Sequence, residues 1–228
     1  MQNEQLLPRH VGLIADGNRR WADEHGLPSL EGHRKGFEAG EKIIKTAHDR
    51  GIEEFTAWAF STENWNRSKE EIDYLMRLFE NWLSEFSSQF EGKDVRIRVI
   101  GQKWRLPIPL QNKIKEIEEK SAKNSGMIFN MALSYGGRDE IVEGIKKIMA
   151  SGIKPGDVTE KTVSDSLWLS DIDLIIRTGG EQRLSGFLAW QATYAELFFI
   201  KKYLPDFNPD DFDGILAEYR QRQRRFGK

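Results

Sequence analysis

Short, almost continuous apolar runs alternate along this chain with longer segments in which apolar residues recur every three or four positions. The short runs are typical of strands buried on both faces, and the three-to-four spacing is typical of amphipathic helices. The runs predict six strands, at Val11–Ala15, Phe55–Phe60, Val95–Ile100, Met127–Leu133, Leu174–Ile176 and Leu197–Ile200. The helical spacing predicts helices over residues 32–50, 69–90, 109–123, 138–150, 159–168 and 210–225.

The order of these elements predicts an α/β fold. Strands that alternate with helices form a mostly parallel sheet that is flanked by helices on both faces. The sequence has no internal repeat and no linker long enough to divide it, so we expect a single domain over residues 1–228, with a six-stranded sheet. We expect residues 1–9, before the first run, to be flexible.

Polar and glycine-rich segments follow four of the predicted strands. These segments are residues 16–21, 61–67, 134–138 and 177–185, and they carry glycines, arginines, hydroxyls and carboxylates. In open parallel sheets, ligands bind beyond the carboxyl ends of the strands. We therefore expect the four segments to meet at one edge of the sheet and to form the functional site there.

The segment after the first strand has the composition of a phosphate site. Gly17 lets the backbone approach a ligand closely, and the free N–H groups at the start of a helix attract an anion. Arg19 and Arg20 add positive charge, and Asp16 could hold Mg²⁺, which prefers one or two carboxylates plus phosphate oxygens. The alternative, equally open at this point, is that Asp16 caps a helix and the arginines are solvated.

The segment from Arg177 to Ser185 is a second candidate anion site. It holds two arginines, two glycines and a serine within nine residues. A guanidinium group matches the geometry of a phosphate, and adjacent glycines keep side chains out of the way. A glycine turn with surface arginines is the alternative. Two anion sites at one edge would suit two phosphorylated substrates or one large one.

Seven Trp and thirteen Phe are many large aromatic residues for a chain of this size. Several apolar residues of the 69–90 segment share one helix face: Ile72, Leu75, Met76, Phe79, Trp82, Leu83, Phe86 and Phe90. Such a face is usually part of the core. It could also line an apolar tunnel, in which each buried isoprene unit would contribute about 3–4 kcal/mol to binding.

Composition narrows the function further. With 34 basic and 36 acidic residues, the net charge of −2 argues against a nucleic-acid partner. The absence of cysteine excludes a disulfide scaffold, a cysteine-ligated metal site and thiol catalysis. No apolar window is long enough for a membrane span, and the opening MQNEQLLPRH is too polar for a signal peptide, so we expect a soluble, cytoplasmic protein. Asp210–Asp213 begins like a DDxxD metal motif, but Gly214 ends the match, and we assign these residues to helix capping.

Five segments and a terminal motif resemble those of the cis-prenyltransferases of the undecaprenyl diphosphate synthase type. They are HVGLIADGNRRWA (10–22), GHRKG (32–36), AFSTENWNRS (59–68), YGGRDEI (135–141), DLIIRTGGEQRLSGFLAWQ (173–191) and RRFG (224–227). The resemblance implies Mg²⁺-dependent condensation of isopentenyl diphosphate with an allylic diphosphate such as farnesyl diphosphate. The implied product is a cis-polyprenyl diphosphate, the precursor of an undecaprenyl-type lipid carrier of the cell wall.

Alternatives to this product and role are a shorter-chain synthase, a non-catalytic subunit of a heteromeric prenyltransferase, and a Mg²⁺-dependent nucleotide enzyme that uses the same edge.

The resemblance also assigns roles to individual residues. Asp16 is implied to bind Mg²⁺ and assist departure of the allylic diphosphate, and Glu196 to be a second metal-associated carboxylate. Asn64 is implied to be a proton acceptor, with the released diphosphate as the open alternative, because an amide alone is a poor base. The implied cradle for the allylic diphosphate consists of Gly17, Asn18, Arg19, Arg20, Trp21 and His33, with Ser29 where many members have arginine. The implied mobile substrate loop consists of Ser61, Thr62, Glu63, Trp65 and Arg67. The implied isopentenyl diphosphate site consists of Arg177, Arg183, Leu184 and Ser185.

Two further expectations concern partners and product length. Arg225 and Gly227 match a terminal R-x-G motif that reaches the partner subunit's site in this family, which implies a homodimer with residues 220–228 extending to the partner. The lipid product implies peripheral contact with a membrane. Met127, Ile100 and Trp58 are the residues that we expect at the floor of an apolar tunnel, because they lie on strands that face a possible cavity.

Overall fold

A computed structural model describes residues 7–90 and 92–222. The strands are β1 (His10–Ile14), β2 (Glu54–Ser61), β3 (Arg96–Ile100), β4 (Ile128–Tyr135), β5 (Leu174–Arg177) and β6 (Glu196–Phe199). The α-helices are α1 (Asn18–Glu24), α2 (Ser29–Asp49), α3 (Lys69–Gln89), α4 (Ile108–Ser121), α5 (Gly137–Ala150), α6 (Glu160–Ser166) and α7 (Pro209–Gln221). Each predicted strand is confirmed to within two residues at either end.

The strands form one sheet in the order β3-β4-β2-β1-β5-β6, and every neighbouring pair is parallel. The predicted α/β fold is therefore confirmed. From β1 the chain passes first to β2 on one side of β1, and later returns to β5 on its other side. The strand order thus reverses between β1 and β5, and a crevice opens at such a point beyond the carboxyl ends of the strands. Asp16 follows β1 there, and Arg177 ends β5.

Two apolar clusters cover the two faces of the sheet. The larger contains buried residues of α2, α3, α4 and α7 packed on strand residues such as Leu13, Phe129 and Leu174. The smaller contains Trp58, Tyr135 and Phe187. Burial of an apolar face on each side explains why the strands are apolar along their whole length.

Helix α1 crosses α2 at very short range because α2 carries glycine at two positions one turn apart. A Cβ atom at Gly32 would clash with the backbone carbonyl of Asn18, and one at Gly36 would clash with the Asn18 side chain. The two glycines of GHRKG therefore let the start of α1 rest on α2. The helical spacing had predicted α2 only from residue 32, whereas the helix begins at Ser29, directly after Pro28.

The described residues bear on three further expectations, which concern the first residues, the acidic stretch and a membrane span. The Arg9 amide donates a hydrogen bond to Asp173 (2.9 Å), while residues 1–6 of the segment expected to be flexible lie outside the described residues. Asn208 accepts a hydrogen bond from the Asp211 amide (3.0 Å), which confirms the assignment of the acidic stretch to a helix cap. Within the described ranges, no helix has the length and apolar character needed to cross a bilayer.

Candidate functional site

The four polar segments meet at the carboxyl edge of the sheet, as predicted. A cavity of about 250 Å³ opens there between strands β1, β2 and β4 and helices α2 and α3. Its polar mouth includes Asp16, Asn18, His33, Ser61, Asn64, Arg67 and Ser185, whereas its interior is lined by side chains such as Leu13, Phe37, Leu75, Trp82, Phe129 and Met131. The 134–138 segment reaches the same edge beside the 61–67 segment. Ser134 there accepts a hydrogen bond from the Trp65 indole (2.8 Å).

Asp16 lies between two arginines. One carboxylate oxygen is 2.7 Å from the Arg177 guanidinium, and the other is 3.1 Å from that of Arg20. Partial burial disfavours the ionised carboxylate. The hydrogen bond and charge of Arg177, together with the charge of Arg20, outweigh that burial and hold the pKa of Asp16 below its ordinary value. Asp16 is therefore ionised at neutral pH, and its side chain is still 30% exposed to the mouth of the cavity.

Arg177 also organises the second predicted anion segment. Its side chain is 6% exposed, and it donates hydrogen bonds to the Arg183 carbonyl and to the Ser185 hydroxyl (3.0 Å) in addition to Asp16. Gly179 and Gly180 have φ angles of 86° and 80°, a left-handed conformation that favours glycine. The two glycines turn the chain away from β5, while Arg177 holds the following loop against Asp16. The two predicted anion segments therefore meet at the ion pair between Asp16 and Arg177.

The loop after β2 forms a short 3₁₀ helix, Thr62–Asn66. The Asn64 side-chain oxygen accepts a hydrogen bond from the Ser61 amide (3.0 Å), and this contact orients the amide group of Asn64. Its NH₂ group is then the end available to a ligand in the cavity, and an NH₂ group donates hydrogen bonds. The Trp65 ring packs edge-on against Phe60 and carries the Arg105 guanidinium 5.0 Å from its centre.

Glu71, in the first turn of α3, joins Arg19 and His33 of the predicted cradle to Arg67 of the predicted mobile loop, and it was not among the predicted site residues. One carboxylate oxygen accepts hydrogen bonds from Arg67 (3.0 Å) and His33 (3.1 Å), and the other is 3.8 Å from Arg19. An acidic residue in the first turn of a helix usually complements the helix dipole, so the local sequence gave no reason to place it in a site.

Burial affects the pKa of two predicted site residues, His33 of the cradle and Arg67 of the loop. Burial, with the neighbouring positive charge of Arg67, lowers the pKa of His33 despite the hydrogen bond to Glu71 that raises it. Burial likewise lowers the pKa of the Arg67 guanidinium, although such a group stays protonated at any ordinary pH. His33 is therefore mainly neutral at neutral pH in this arrangement.

Several predicted site residues do not line the cavity. The Trp21 indole donates to Asp206 (2.8 Å), and its ring stacks on His25. Leu184 packs against the smaller apolar cluster. Ser29 begins α2, one turn before His33, and Glu63 is exposed on the loop. Thr62 lies against Gly136, at the edge of the site.

Glu196 is not brought to Asp16 within one chain. In the register of β5 and β6, Glu196 pairs with Leu174 at the amino ends of the two strands, three residues before the position of Arg177. That separation is about 10 Å along the strands at 3.3 Å per residue. The Glu196 carboxylate instead accepts a hydrogen bond from Arg222 (2.9 Å). The predicted motif residues Arg225 and Gly227 lie outside the described part of the chain.

The expected tunnel floor differs from the observed lining. Trp58 borders the cavity, but its ring stacks on Phe187 (5.1 Å between centroids) in the smaller cluster, and Ile100 packs in that same cluster. Met127 is buried in the larger cluster without lining the cavity. The interior is instead closed by aromatic rings, with Trp82 5.6 Å from Phe37 and 5.9 Å from Phe129 between centroids.

Asp16 is the one predicted metal ligand at the mouth of the cavity. In the ranges 7–90 and 92–222, no group of three or more His, Asp or Glu side chains is arranged to hold a metal ion. A lone, ionised and partly exposed carboxylate suits Mg²⁺, which takes its remaining ligands from water and phosphate oxygens. Each Asp16 oxygen keeps a lone pair after its bond to arginine. The residues present therefore fit Mg²⁺ when a diphosphate accompanies it.

Comparison with known proteins identifies the class. The family model Prenyltransf, described as "Putative undecaprenyl diphosphate synthase", matches residues 14–227. An isoprenyl transferase from Aquifex aeolicus is 44% identical over 225 residues, which cover 97% of this chain and 96% of that protein. A tritrans,polycis-undecaprenyl-diphosphate synthase (geranylgeranyl-diphosphate specific) from Pyrococcus horikoshii is 42% identical, with 98% and 88% covered.

A solved structure agrees with the sequence relatives. Lavandulyl diphosphate synthase from Lavandula x intermedia, in complex with dimethylallyl diphosphate, superposes with a TM-score of 0.94 at 41% identity, over 97% of this chain and 99% of that one. A two-segment anion site at the mouth of an apolar cavity, on this parallel sheet, thus belongs to a prenyl-transferring enzyme. The chain is a member of the undecaprenyl diphosphate synthase family of cis-prenyltransferases, which confirms the resemblance drawn from its motifs.

Proposed function

We propose that the protein joins isopentenyl diphosphate to an allylic diphosphate and forms a cis-prenyl diphosphate with the help of Mg²⁺. The observation that carries the proposal is the ionised Asp16 between Arg20 and Arg177, where two cation-rich segments meet at the mouth of an apolar cavity. One segment suits the diphosphate of the electrophile and the other that of the nucleophile. Holding both together makes their encounter effectively intramolecular.

The proposed reaction has three chemical parts. The allylic C–O bond breaks, a C–C bond forms to isopentenyl diphosphate, and a proton leaves the extended chain. Arg20, which bonds Asp16, and Arg67, which lines the cavity, would stabilise the negative charge that develops on the departing diphosphate. Mg²⁺, when bound at Asp16, supplies further stabilisation of that charge.

The proton acceptor in this proposal is an oxygen of the released diphosphate. Asn64 presents its NH₂ group, because its carbonyl oxygen is held by the Ser61 amide. A neutral amide is in any case a weak base. Asn64 then has the task of orienting the diphosphate by donating a hydrogen bond to it.

Two product classes are supported by different observations. The motif resemblance and the Pyrococcus relative favour an undecaprenyl-type product of eleven isoprene units. The cavity volume and the lavandulyl diphosphate synthase structure favour a short product. A 150 Å³ apolar cavity holds benzene, so by the same ratio about ten carbon atoms fit in 250 Å³. A long product then requires that α2 and α3 move apart around the aromatic rings that close the interior.

The test is a condensation assay with purified full-length protein, Mg²⁺ and labelled isopentenyl diphosphate. Dimethylallyl, geranyl and farnesyl diphosphates serve as separate starters, and the products are sized after dephosphorylation. We expect elongation of at least one starter. The size distribution of the products (the product ladder) distinguishes the two product classes. No product from well-folded protein would refute the proposal. Activity that appears only with a second, different chain would instead indicate a subunit of a heteromeric enzyme.

A comparison of binding affinities separates a prenyl-transferring enzyme from a nucleotide-dependent one. A farnesyl thiodiphosphate analogue should bind much more tightly than ADP, because the cavity interior below the anion sites is apolar. Equal binding of the two would favour the nucleotide enzyme.

We further propose a homodimer and contact with the cytoplasmic face of a membrane. Val142, Ile145 and Met149 form an exposed apolar stripe on α5, at 48%, 46% and 76% exposure. A second copy of the chain would bury such a stripe. Ile145→Glu should convert a dimer to a monomer in analytical ultracentrifugation, whereas Lys146→Glu, on a neighbouring exposed position, should not. Sedimentation with lipid vesicles tests the membrane contact.

A further inference from the structure

Glu71 is a poorly exposed carboxylate on which three separate elements converge. Its side chain is 13% exposed, and it contacts Arg19 of α1, His33 of α2 and Arg67 at the end of the loop after β2. Of the described residues, His33 and Arg67 line the cavity, whereas Glu71 does not. Glu71 thus contacts two residues that line the cavity and does not itself border the space that a diphosphate would fill.

The hydrogen bonds to Glu71 fix the orientation of both neighbours. A carboxylate can only accept hydrogen bonds, so the His33 Nε2 atom, 3.1 Å away, must carry the hydrogen. This selects one tautomer of neutral His33 and leaves its Nδ1 atom as the acceptor. The bond from Arg67 (3.0 Å) ties the loop to the first turn of α3.

Without Glu71 the same three groups would disperse. Arg19 and Arg67 carry like charges, and each lowers the pKa of His33 as well. Long arginine side chains also lose considerable rotamer freedom when they are held in place. One shared negative charge therefore both reduces the repulsion and keeps Arg67 and His33 in a single arrangement.

We propose that Glu71 is a positioning residue that assembles Arg19, His33 and Arg67 into the subsite for the allylic diphosphate. The proposal rests on the proposed function for the identity of the ligand, but its central claim concerns these three side chains. Glu71 acts through them and makes no contact with substrate or reacting atoms. Its effect is accordingly confined to one of the two substrates.

The kinetic test compares Glu71→Ala and Glu71→Gln with Glu70→Ala. Glu70 is the matched control because it is exposed and carries the same charge in the same first turn of α3, near the positive end of the helix dipole. We expect Glu71→Ala to raise KM for the allylic diphosphate about 10- to 100-fold, which is the worth of one charge-assisted hydrogen bond. KM for isopentenyl diphosphate should change less than about twofold, and Glu71→Gln should restore part of the loss because its carbonyl still accepts a hydrogen bond.

Two kinetic outcomes would overturn the proposal. A lower KM for the allylic diphosphate in Glu71→Ala would mean that the carboxylate competes with substrate. Equal changes in both KM values, with no rescue by glutamine, would mean a general structural role. Glu70→Ala should match the wild type throughout.

A binding test stands independently of turnover. The affinity of the full chain for inorganic pyrophosphate, measured by calorimetry, should fall in Glu71→Ala by a similar factor and be unchanged in Glu70→Ala. Nitrogen-15 NMR should show the Nε2–H tautomer of His33 in the wild type and a mixture of tautomers in Glu71→Ala. If the wild type transfers no prenyl group while these two results hold, the proposed function fails and the positioning role of Glu71 stands. An unchanged tautomer and unchanged pyrophosphate affinity would refute the role whatever the enzyme's activity.

Discussion

Replacing Asp16 by asparagine separates the chemical role of this carboxylate from its structural one. Asparagine has the same shape and can still accept one hydrogen bond from Arg177, now 2.7 Å from the carboxylate, but it has no charge for Mg²⁺ or for Arg20. Removing one group that stabilises transition-state charge typically costs 10²- to 10³-fold, and loss of the proposed Mg²⁺ ligand adds to this. We expect kcat to fall about 10³-fold, equivalent to about 4 kcal/mol in activation free energy.

The expected effect on stability is smaller. Arg177 is almost fully buried, yet it keeps its bonds to the Arg183 carbonyl and to Ser185. The free energy of unfolding should therefore fall by about 1–3 kcal/mol, as for one imperfectly satisfied partner, and not by the larger amount of an abandoned buried charge.

Steady-state kinetics with saturating substrates and urea unfolding of the same preparations measure these two quantities. Asp23→Asn is the matched control, because Asp23 is an exposed residue of α1 and the change removes the same charge. It should leave both quantities unchanged. If Asp16→Asn kept more than a tenth of the wild-type kcat, or if Asp23→Asn lost as much, the assignment of Asp16 to the chemistry would be wrong.

Three further predictions follow from the packing and charge of the site. Trp82→Leu should lengthen the products of the condensation assay by opening the interior of the cavity, whereas Met127→Ala should leave the ladder unchanged, since Met127 does not line the cavity. Gly40→Ala should raise the Tm slightly, because a Cβ there meets open space and alanine favours the helix by about 0.5–1 kcal/mol, whereas Gly32→Ala should lower it by forcing α1 off α2. The pKa of Asp16 lies below its ordinary value near 3.9, so its contribution to stability is present above that pH and is lost as pH falls through the lowered pKa; the difference in unfolding free energy between the wild type and Asp16→Asn should shrink accordingly in acid unfolding series.

The strands and the long helices were predictable because burial leaves a direct record in the spacing of apolar residues. Helix α1 was predicted only as a helix start after Gly17, without bounds, because it spans seven mostly polar residues; it rests on α2 through glycines that have no apolar pattern of their own. The motif GHRKG was recognised, but the close crossing that requires Gly32 and Gly36 is a tertiary property.

The side of the sheet on which a residue lies was harder to predict. Strands buried on both faces lack the alternation of polar and apolar residues that would identify the side facing the cavity. Trp58 and Ile100 were consequently expected at the tunnel floor, and their side chains pack in the cluster across the sheet. Asp16, Arg177 and Ser185 could be placed together in advance because parallel strands bring their carboxyl ends to one edge. Glu71 could not, because two of its three partners, Arg19 and His33, come from helices distant in the sequence.

Arg177 has a thermodynamic consequence beyond its contacts. The same guanidinium holds Asp16 on one side and the Arg183–Ser185 loop on the other. A ligand that accepts a hydrogen bond from Arg177 on one side changes the free energy of the bonds that Arg177 makes on the other side. For the two proposed substrates, the affinities are then linked, and linkage is reciprocal. Whatever factor the allylic diphosphate applies to the binding of isopentenyl diphosphate, isopentenyl diphosphate applies in turn to the binding of the allylic diphosphate.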